Sequence, residues 1–253
     1  MRFLKNRRNS QEENHFWISI SDLMTSLLFV FILILTYMIL EYQDKQDIVQ
    51  ENINILKKKI ELAQKKIESF EKNVNARSEL LKKLQLNLQK KKINVEIDID
   101  EGAMRITKER LFDSSKANIR EDKVWIIQEV ANEILGLISQ NKYKKAINTI
   151  YIEGHTDNVK LNTNKCGLRW TNMELSAQRA INTFLLMDKL TNGTFSKLKN
   201  QKNQALFSYS GYADTRPIKG VSNKTKDGRE RNRRIQFFFA VNPPNVEELK
   251  NED

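Results

Sequence analysis

The sequence predicts a membrane protein with three parts: a single N-terminal transmembrane helix, a dimeric coiled-coil stalk, and an α/β sandwich domain with a mixed sheet and helices on one face. An apolar stretch is long enough to cross a bilayer. A heptad pattern follows in a region without glycine or proline. Alternating strand and helix patterns come last. The predicted boundaries are 1–15 for a cytoplasmic segment, 16–40 for the span, 41–90 for the stalk, 91–242 for the domain and 243–253 for a tail.

Charge and cysteine content exclude some classes of function. The 253 residues carry a net charge of +11, which could indicate nucleic-acid binding. Many lysines, however, lie between Lys57 and Lys92, where they are best explained as the solvated face of a helix. A second basic cluster, residues 229–234, leads directly into an apolar strand. We therefore expect no direct nucleic-acid binding, and the single cysteine, Cys166, rules out an intrachain disulfide.

The charges that flank the apolar stretch predict its orientation. Four basic residues precede it, whereas Lys45 is the one basic residue close behind it. The positive-inside rule then places the N-terminus in the cytoplasm and the rest of the chain outside the inner membrane. The stretch is also too long for the core of a cleaved signal peptide. The preceding basic residues are Arg2, Lys5, Arg7 and Arg8.

Asp22 is the one ionisable residue inside the predicted span. A carboxylate at the centre of a membrane helix costs about 2.5–3.5 kcal/mol on insertion scales. Our hypothesis is that Asp22 faces a protein interface and binds and releases an ion there. Two alternatives remain open: the side chain could reach the headgroups, or it could cap a helix that starts at Leu23.

The stalk is predicted from apolar residues at alternating steps of four and three. β-Branched residues at one seam position and Leu56 at the other favour a two-stranded coil. About 45 helical residues would reach roughly 70 Å. The alternative is a lone amphipathic helix that packs on a neighbour, and Arg77 interrupts the seam. The seam residues are Val49, Ile53, Leu56, Ile60, Ala63, Ile67, Phe70, Val74, Leu81, Leu84 and Leu88.

The C-terminal domain is predicted from strand and helix patterns that follow one another along the chain. A half-buried strand over 94–100 turns at Glu101 and Gly102 and returns over 103–106. The helix over 124–138 is expected to place Trp125 in the core. The remaining elements are a strand over 146–152, a helix over 175–190, and strands over 206–212 and 235–241.

The stretch Glu153–Asp157 directly follows a buried strand, a common position for a site. His155 could suggest a metal ligand or a general base. The chain's other histidine, His15, is predicted to lie in another compartment, and Cys166 alone does not complete a tetrahedral set. The sequence shows no spacing typical of a nucleophile and its base. We therefore predict neither a metal site nor an enzyme.

The span resembles a known family. Trp17 followed by Ser21-Asp22-Leu23-Met24-Thr25-Ser26-Leu27-Leu28 is similar to the start of the ion-conducting helix of MotB-type stator proteins. The spelling Phe16-Trp17-Ile18-Ser19 is nearer to ZorB, the MotB-like subunit of Zorya anti-phage defence systems. The resemblance implies that Asp22 carries H⁺ or Na⁺ without a cofactor. It also implies two copies of the chain inside a ring of MotA- or ZorA-like multi-span subunits.

The C-terminal domain resembles the OmpA-like peptidoglycan-binding domain in five motifs that occur in order. This resemblance implies a ligand, the diaminopimelate stem peptide of the cell wall. It assigns Asp157 to the ligand's ammonium and Arg179 to its carboxylate, with Thr156 and Asn172 as weaker assignments. The alternative is that Asp157 and Arg179 only pair with each other. The motifs are Leu111–Ser114, Ile152–Asp157, Asn172–Ala180, Gly211–Pro217 and Asn232–Ile235.

One insertion departs from the family pattern. Residues 158–171 form a longer loop that could cover the pocket or extend it. The loop contains Lys160, Lys165, Cys166 and Trp170.

Together with the sequence patterns, these resemblances imply a peptidoglycan-anchored subunit of an ion-driven motor in the inner membrane, with a periplasmic C-terminal domain. The motor would be that of a Zorya anti-phage defence system. A flagellar stator protein is the alternative within the same class. A passive tether between membrane and wall, without ion flow, is the alternative from another class.

Overall fold

The computed structural model describes residues 2–106, 111–161 and 171–244, with side chains from Phe16 onward. The chain divides into two compact units, Met1–Ala63 and Gln64–Asp253. The helices are α1 (Arg2–Lys90), α2 (Val124–Ile138), α3 (Asn141–Ala146), α4 (Asn172–Leu190), α5 (Thr194–Lys197) and α6 (Lys226–Asn232), with a 3-10 helix over Glu121–Lys123. The strands are β1 (Glu96–Asp98), β2 (Ala103–Ile106), β3 (Ile147–Gly154), β4 (Phe207–Gly211) and β5 (Ile235–Val241).

The first unit is formed by the N-terminal part of α1. The helix runs without interruption because its residues include neither glycine nor proline, which weaken helix interiors most. Hydroxyl groups in the apolar stretch bond to the helix itself: Thr25 Oγ1 donates to Ser21 O at 2.7 Å, and Thr36 Oγ1 donates to Ile32 O. Of the helices in the described part of the chain, one is long and apolar enough to cross a membrane.

Asp22 lies inside α1, which begins at Arg2. The alternative that Asp22 caps a helix starting at Leu23 is therefore wrong, because a cap residue precedes the first helical turn. Apolar residues flank the carboxylate on both sides within one helix.

The second unit contains a five-stranded sheet with the strand order β1-β2-β5-β3-β4. β3 and β4 run parallel, and the other neighbours are antiparallel. Ile150 and Ile152 of β3 and Phe237 and Phe239 of β5 are fully buried in one core with α2 and α4. Side chains alternate along a strand, so the residues between them face away from these helices. The predicted mixed sheet with helices on one face is confirmed.

The last turns of α1 belong to this domain and not to a stalk. Leu80, Leu81, Leu84 and Leu88 are at most 1% exposed and share the core of the sheet. The predicted domain boundary at residue 91 is therefore wrong, and the last three of these leucines are not part of a coiled-coil seam. The spacing misleads because steps of three and four also suit a helix that buries one face in its own domain.

Arg77 shows why the seam is interrupted before these leucines. Its guanidinium donates to the carbonyls of Ile99 at 3.3 Å and Asp100 at 3.4 Å, in the turn between β1 and β2. Gly102 in this turn has φ +76°, and a Cβ there would lie 2.4 Å from Arg77 Nη1. The residue that breaks the heptad pattern thus attaches α1 to the first hairpin.

The other predicted elements are present with bounds within a few residues, and the sequence analysis missed the short helices α3, α5 and α6. α2 and β5 have the predicted bounds. Trp125, expected in the core, is 47% exposed, and that prediction is wrong. α4 begins at Asn172 rather than 175 because Thr171 and Glu174 form a capping box. Residues 245–253 of the predicted tail lie outside the described residues.

The sheet face away from the helices carries a buried polar network centred on Gln236. Its Nε2 donates to Glu153 Oε2 at 3.0 Å, and its Oε1 accepts from Arg105 Nε at 3.0 Å and Arg234 Nε at 3.2 Å. All four residues are buried. The charges are tolerated there because each has a hydrogen-bond partner.

His155 lies beside this network, at the end of β3. Its ring is 1% exposed and stacks on Tyr212, with ring centroids 5.5 Å apart. Nε2 lies 3.7 Å from Glu153 Oε2, and among the described residues neither ring nitrogen has a hydrogen-bond partner. Burial lowers the pKa of His155, and the charges of Arg234 and Arg216 lower it further, while Glu153 acts in the opposite direction.

Replacing Leu84 with alanine should lower the free energy of unfolding of the second unit by about 2–5 kcal/mol, because it leaves a cavity in a packed core. Leu86→Ala is the matched control, since Leu86 lies on the same helix and is 57% exposed. Its effect should stay within about 0.5 kcal/mol. Chemical denaturation of the full-length chain in detergent micelles measures both. Equal effects would contradict the placement of α1 in the core.

The second unit should lose stability as the pH falls from about 7 to about 5. His155 has a folded pKa below its ordinary value of 6.5, so the unfolded chain binds the proton more readily. Its contribution is present above pH 6.5 and is lost as the pH falls through that value. The slope is at most about 1.4 kcal/mol per pH unit for one proton.

The control for this prediction is His155→Phe, which keeps a ring against Tyr212 and removes the titration. Denaturation curves across this range should have a flatter pH dependence in the variant. Carboxylates with a lowered pKa, such as Glu79 at about 2, lose their contribution below the ordinary value of 4.5 and do not obscure the comparison. Identical slopes in both proteins would contradict the assignment to His155.

Candidate ligand-binding pocket

A cavity of about 890 Å³ opens beside the end of β3. Its walls come from the loop after β3, the first half of α4, residues 111–120, α6 and the start of β5. The four residues predicted to bind a ligand all line it, although they lie on different elements. These residues are Thr156, Asp157, Asn172 and Arg179.

Two glycines set the position of α4 against the strand ends. A Cβ on Gly154 would lie 1.9 Å from Ser176 O, and a Cβ on Gly211 would lie 2.2 Å from Ala177 N. Ser176 Oγ also accepts a hydrogen bond from Ala213 N at 3.0 Å. The first turns of α4 therefore rest directly on the backbone of β3 and β4, which brings Arg179 to the same pocket as the loop after β3.

Asp157 is held by the loop that follows β3 and is 5% exposed. Its Oδ1 accepts from Val159 N at 3.0 Å. Its Oδ2 accepts from Arg233 Nη1 at 2.6 Å. Both carboxylate oxygens thus have internal partners, and the residue lies at the pocket wall with its charge balanced.

Arg179 is 5% exposed and keeps its charge in the pocket wall. Nε donates to Lys116 O at 3.0 Å, Nη2 donates to Asp113 O at 3.3 Å, and the guanidinium lies 4.8 Å from the centre of the Phe112 ring. Burial lowers its pKa to about 10, with a further decrease from Arg233 and an opposing effect of Asp157. The side chain is therefore a desolvated cation at neutral pH.

Thr156 and Asn172 position the loop that carries Asp157. Thr156 N donates to Ala213 O at 2.8 Å, and its Oγ1 donates to Asp157 O at 3.0 Å. Asn172 Nδ2 donates to Asp157 O at 3.2 Å and to Val159 O at 2.9 Å. These contacts fix the backbone around the Asp157 carboxylate, so the role of the two residues is to hold this loop in position.

The alternative that Asp157 and Arg179 pair with each other does not describe their contacts. Asp157 pairs with Arg233, and Arg179 bonds to main-chain carbonyls. Sequence reasoning missed Arg233 as a site residue. The signal was present in the motif Asn232–Ile235, to which we assigned no role.

The pocket favours a ligand that carries both signs of charge. Cations outnumber anions along its wall. The most buried cation there is Arg179, and the most buried anion is Asp157. A carboxylate on the ligand suits the guanidinium, and an ammonium suits the carboxylate. The cations are Arg120, Lys160, Arg179, Lys226, Arg231, Arg233 and Arg234, and the anions are Asp113, Asp157, Asp227 and Glu230.

Metal chemistry has no geometric support in the part of the chain that the structure describes. No group of three or more His, Cys, Asp or Glu side chains there could hold an ion. His155 is buried against Tyr212 and does not line the pocket.

The inserted loop contributes to the pocket at its beginning. Val159, Lys160 and Leu161 line the cavity. Lys165, Cys166 and Trp170 lie outside the described residues, so the expectation that the insertion covers or extends the pocket stays a prediction.

Comparison with known proteins finds several that are similar to this chain in sequence. No family model matches the chain. Motility protein B of Bacillus subtilis (strain 168) is 31% identical over 160 residues, which are 62% of this chain and 50% of that protein. The uncharacterized protein YtxE of the same strain is 27% identical over 245 residues, 92% of this chain and 90% of that one. The outer membrane protein Omp38 of Acinetobacter baumannii is 35% identical over 126 residues, 49% of this chain and 28% of that protein.

Among solved structures, the cell wall anchor of the T6SS from Pseudomonas aeruginosa is 25% identical, with a TM-score of 0.45 over 63% of this chain and 96% of that chain. The chain spans half the length of Motility protein B and about a quarter of Omp38. Both matches agree with the resemblances found in the sequence. The chain is therefore similar in sequence to Motility protein B over more than half of its length, and to Omp38 over about half of its length.

Proposed function

We propose that this protein is the peptidoglycan-anchored subunit of an ion-driven membrane motor of the MotA/MotB type. One observation carries the proposal. A single chain has a carboxylate inside an apolar helix that is long enough to span a membrane, and it also has a pocket built around one buried carboxylate and one buried guanidinium. The first feature serves ion transfer, and the second serves attachment.

In the proposed motor, Asp22 carries the ion. H⁺ or Na⁺ enters from outside and neutralises the carboxylate, which removes the cost of keeping a charge in lipid. The neutral and charged forms make different contacts with a surrounding ring of MotA-like subunits, so each ion shifts the ring between two states. In this arrangement, the N-terminus lies in the cytoplasm and the C-terminal domain lies in the periplasm.

Two copies of the chain pair through the exposed part of the predicted seam. Ile53, Ile60 and Ile67 recur at seven-residue steps on α1 and are 38%, 57% and 59% exposed. β-Branched residues at such positions suit a two-stranded coil. Formation of the homodimer therefore buries an apolar stripe that is exposed to water in the single chain.

The wall ligand is the diaminopimelate residue of a stem peptide. Its side-chain end carries an ammonium and a carboxylate on one carbon, which matches the charges of Asp157 and Arg179. A guanidinium has more N–H donors than the two that bond to Lys116 O and Asp113 O, so Arg179 has donors for a ligand carboxylate. The pocket then holds this subunit still while the ring turns around it.

Within this class, we propose the ZorA/ZorB motor of a Zorya anti-phage defence system. The support is that residues Phe16–Ser19 resemble the ZorB sequence and that α1 continues as a regular helix beyond the span. A flagellar stator protein is the second candidate, favoured by the sequence match to Motility protein B. A deletion strain distinguishes them, because loss of phage resistance supports the first and loss of swimming supports the second.

Asp22→Asn should preserve the complex with the multi-span partner and abolish motor function, because the amide cannot bind and release the ion. Co-purification measures the complex, and phage survival or swimming of the complemented deletion strain measures function. Asp44→Asn is the matched control, since Asp44 lies on the same helix beyond the apolar stretch and should keep full function. A fully active Asp22→Asn protein would leave the passive tether as the better description.

Asp157→Asn should remove the binding of the full-length, detergent-solubilised chain to purified sacculi, because the amide no longer attracts an ammonium. Sedimentation with sacculi measures the bound fraction. Asp214→Asn is the control, since Asp214 is an exposed carboxylate in the loop after β4 and lies outside the pocket lining. Undiminished sedimentation of the Asp157 variant would remove the ligand assignment.

A further inference from the structure

The oxygen of Asp157 that a ligand ammonium would need is already occupied by Arg233. The distance from Arg233 Nη1 to Asp157 Oδ2 is 2.6 Å, and Val159 N takes the other oxygen. The Asp157 side chain is 8% exposed, whereas that of Arg233 is 43% exposed. The carboxylate is therefore fixed, and the guanidinium is the partner that has room to leave.

Arg233 has a second carboxylate within reach. Its Nη2 lies 3.9 Å from Glu230 Oε1, one turn back at the end of α6. A small rotation of the side chain toward Glu230 keeps the guanidinium charge balanced after it leaves Asp157. Arg233 thus keeps its ion pair with Glu230 when it leaves Asp157, so its charge stays balanced.

We propose that Arg233 is a specificity-determining residue of this pocket, which holds Asp157 until a ligand cation takes its place and then turns to Glu230. This inference rests on the proposed wall-binding function. A hydroxyl or amide on a ligand cannot replace a guanidinium on a desolvated carboxylate, because its hydrogen bond lacks the charge. A purely anionic ligand cannot displace Arg233 either, because it has nothing to offer Asp157.

The pocket therefore selects the zwitterionic end of an amino acid. The ammonium displaces Arg233 from Asp157 while the neighbouring carboxylate binds Arg179, which stays in place through its bonds to Lys116 O and Asp113 O. Arg233 lowers the affinity for every cation, and only a ligand that also gains the contact with Arg179 compensates for that loss.

The test is Arg233→Gln in the full-length chain in detergent micelles, titrated with the soluble tripeptide L-alanyl-γ-D-glutamyl-meso-diaminopimelate in a calorimeter. Removing the competing cation should lower the dissociation constant roughly two- to fivefold, the value of one partly exposed ion pair. The same tripeptide with its free amino group on diaminopimelate acetylated should bind neither protein.

Arg231→Gln is the matched control. Arg231 lines the same pocket, has the same charge and is 34% exposed, but it pairs with Glu96 at 3.3 Å. It should leave the dissociation constant unchanged or raise it. Equal tightening in both variants would assign the effect to net charge and overturn the role of Arg233. Thermal unfolding of both variants shows whether each is folded.

Asp157→Asn separates this inference from the proposed function. If the wild-type chain binds the tripeptide, Asp157→Asn does not, and Arg233→Gln binds no tighter, the role of Arg233 is wrong and the wall site remains. If the wild-type chain and Asp157→Asn bind alike, the ligand assignment fails, and the proposed exchange fails with it.

Discussion

The close approach of α4 to the ends of β3 and β4 is the constraint on which the pocket depends. At Gly154 and Gly211 the helix backbone occupies the space where a Cβ would be, so no other residue fits without moving the helix. That contact places Arg179, one turn further along α4, beside the loop that carries Asp157. The two charged groups come from different elements, and this packing fixes the distance between them. The glycines in both strand motifs are thus explained by geometry.

A second constraint is the cost of burying charge. Asp157 and Arg179 are each 5% exposed, and a desolvated ion without partners would cost several kcal/mol. The fold satisfies them separately: Arg233 and a main-chain N–H serve Asp157, and main-chain carbonyls serve Arg179. Had they paired with each other, each would be lost to a ligand. With separate partners, a ligand can reach Asp157 by displacing Arg233 alone, while Arg179 keeps its own bonds.

Sequence patterns predicted the sheet and most helices because alternation and helical spacing report directly which face is buried. β5 and α2 were predicted with their observed bounds. Leu84 and Leu88 were assigned to the wrong partner, because a heptad step records that a helix face is covered but not what covers it. Trp125 lies next to Ile126 and Ile127, and the pattern alone does not decide which of the three faces solvent.

The residues of the candidate site were likewise predicted only in part from the sequence. Asp157 and Arg179 followed from motifs, since each lies in a short segment with a recognisable spelling. The contact between Asp157 and Arg233 joins residues 76 positions apart, and nothing in either segment alone indicates it. Only the sheet, which places the start of β5 beside the end of β3, brings them together.

The two parts of α1 differ in what covers their apolar residues, and this difference bears on how the proposed anchor holds. Leu80, Leu81, Leu84 and Leu88 are covered within their own domain, whereas Ile53, Ile60 and Ile67 are exposed. If Asp157 must first release Arg233, as we propose, the pocket would bind one stem peptide weakly. Two copies joined through the exposed stripe would present two such pockets to one wall. The second attachment is then effectively intramolecular, so the pair can hold firmly while each contact stays weak and selective.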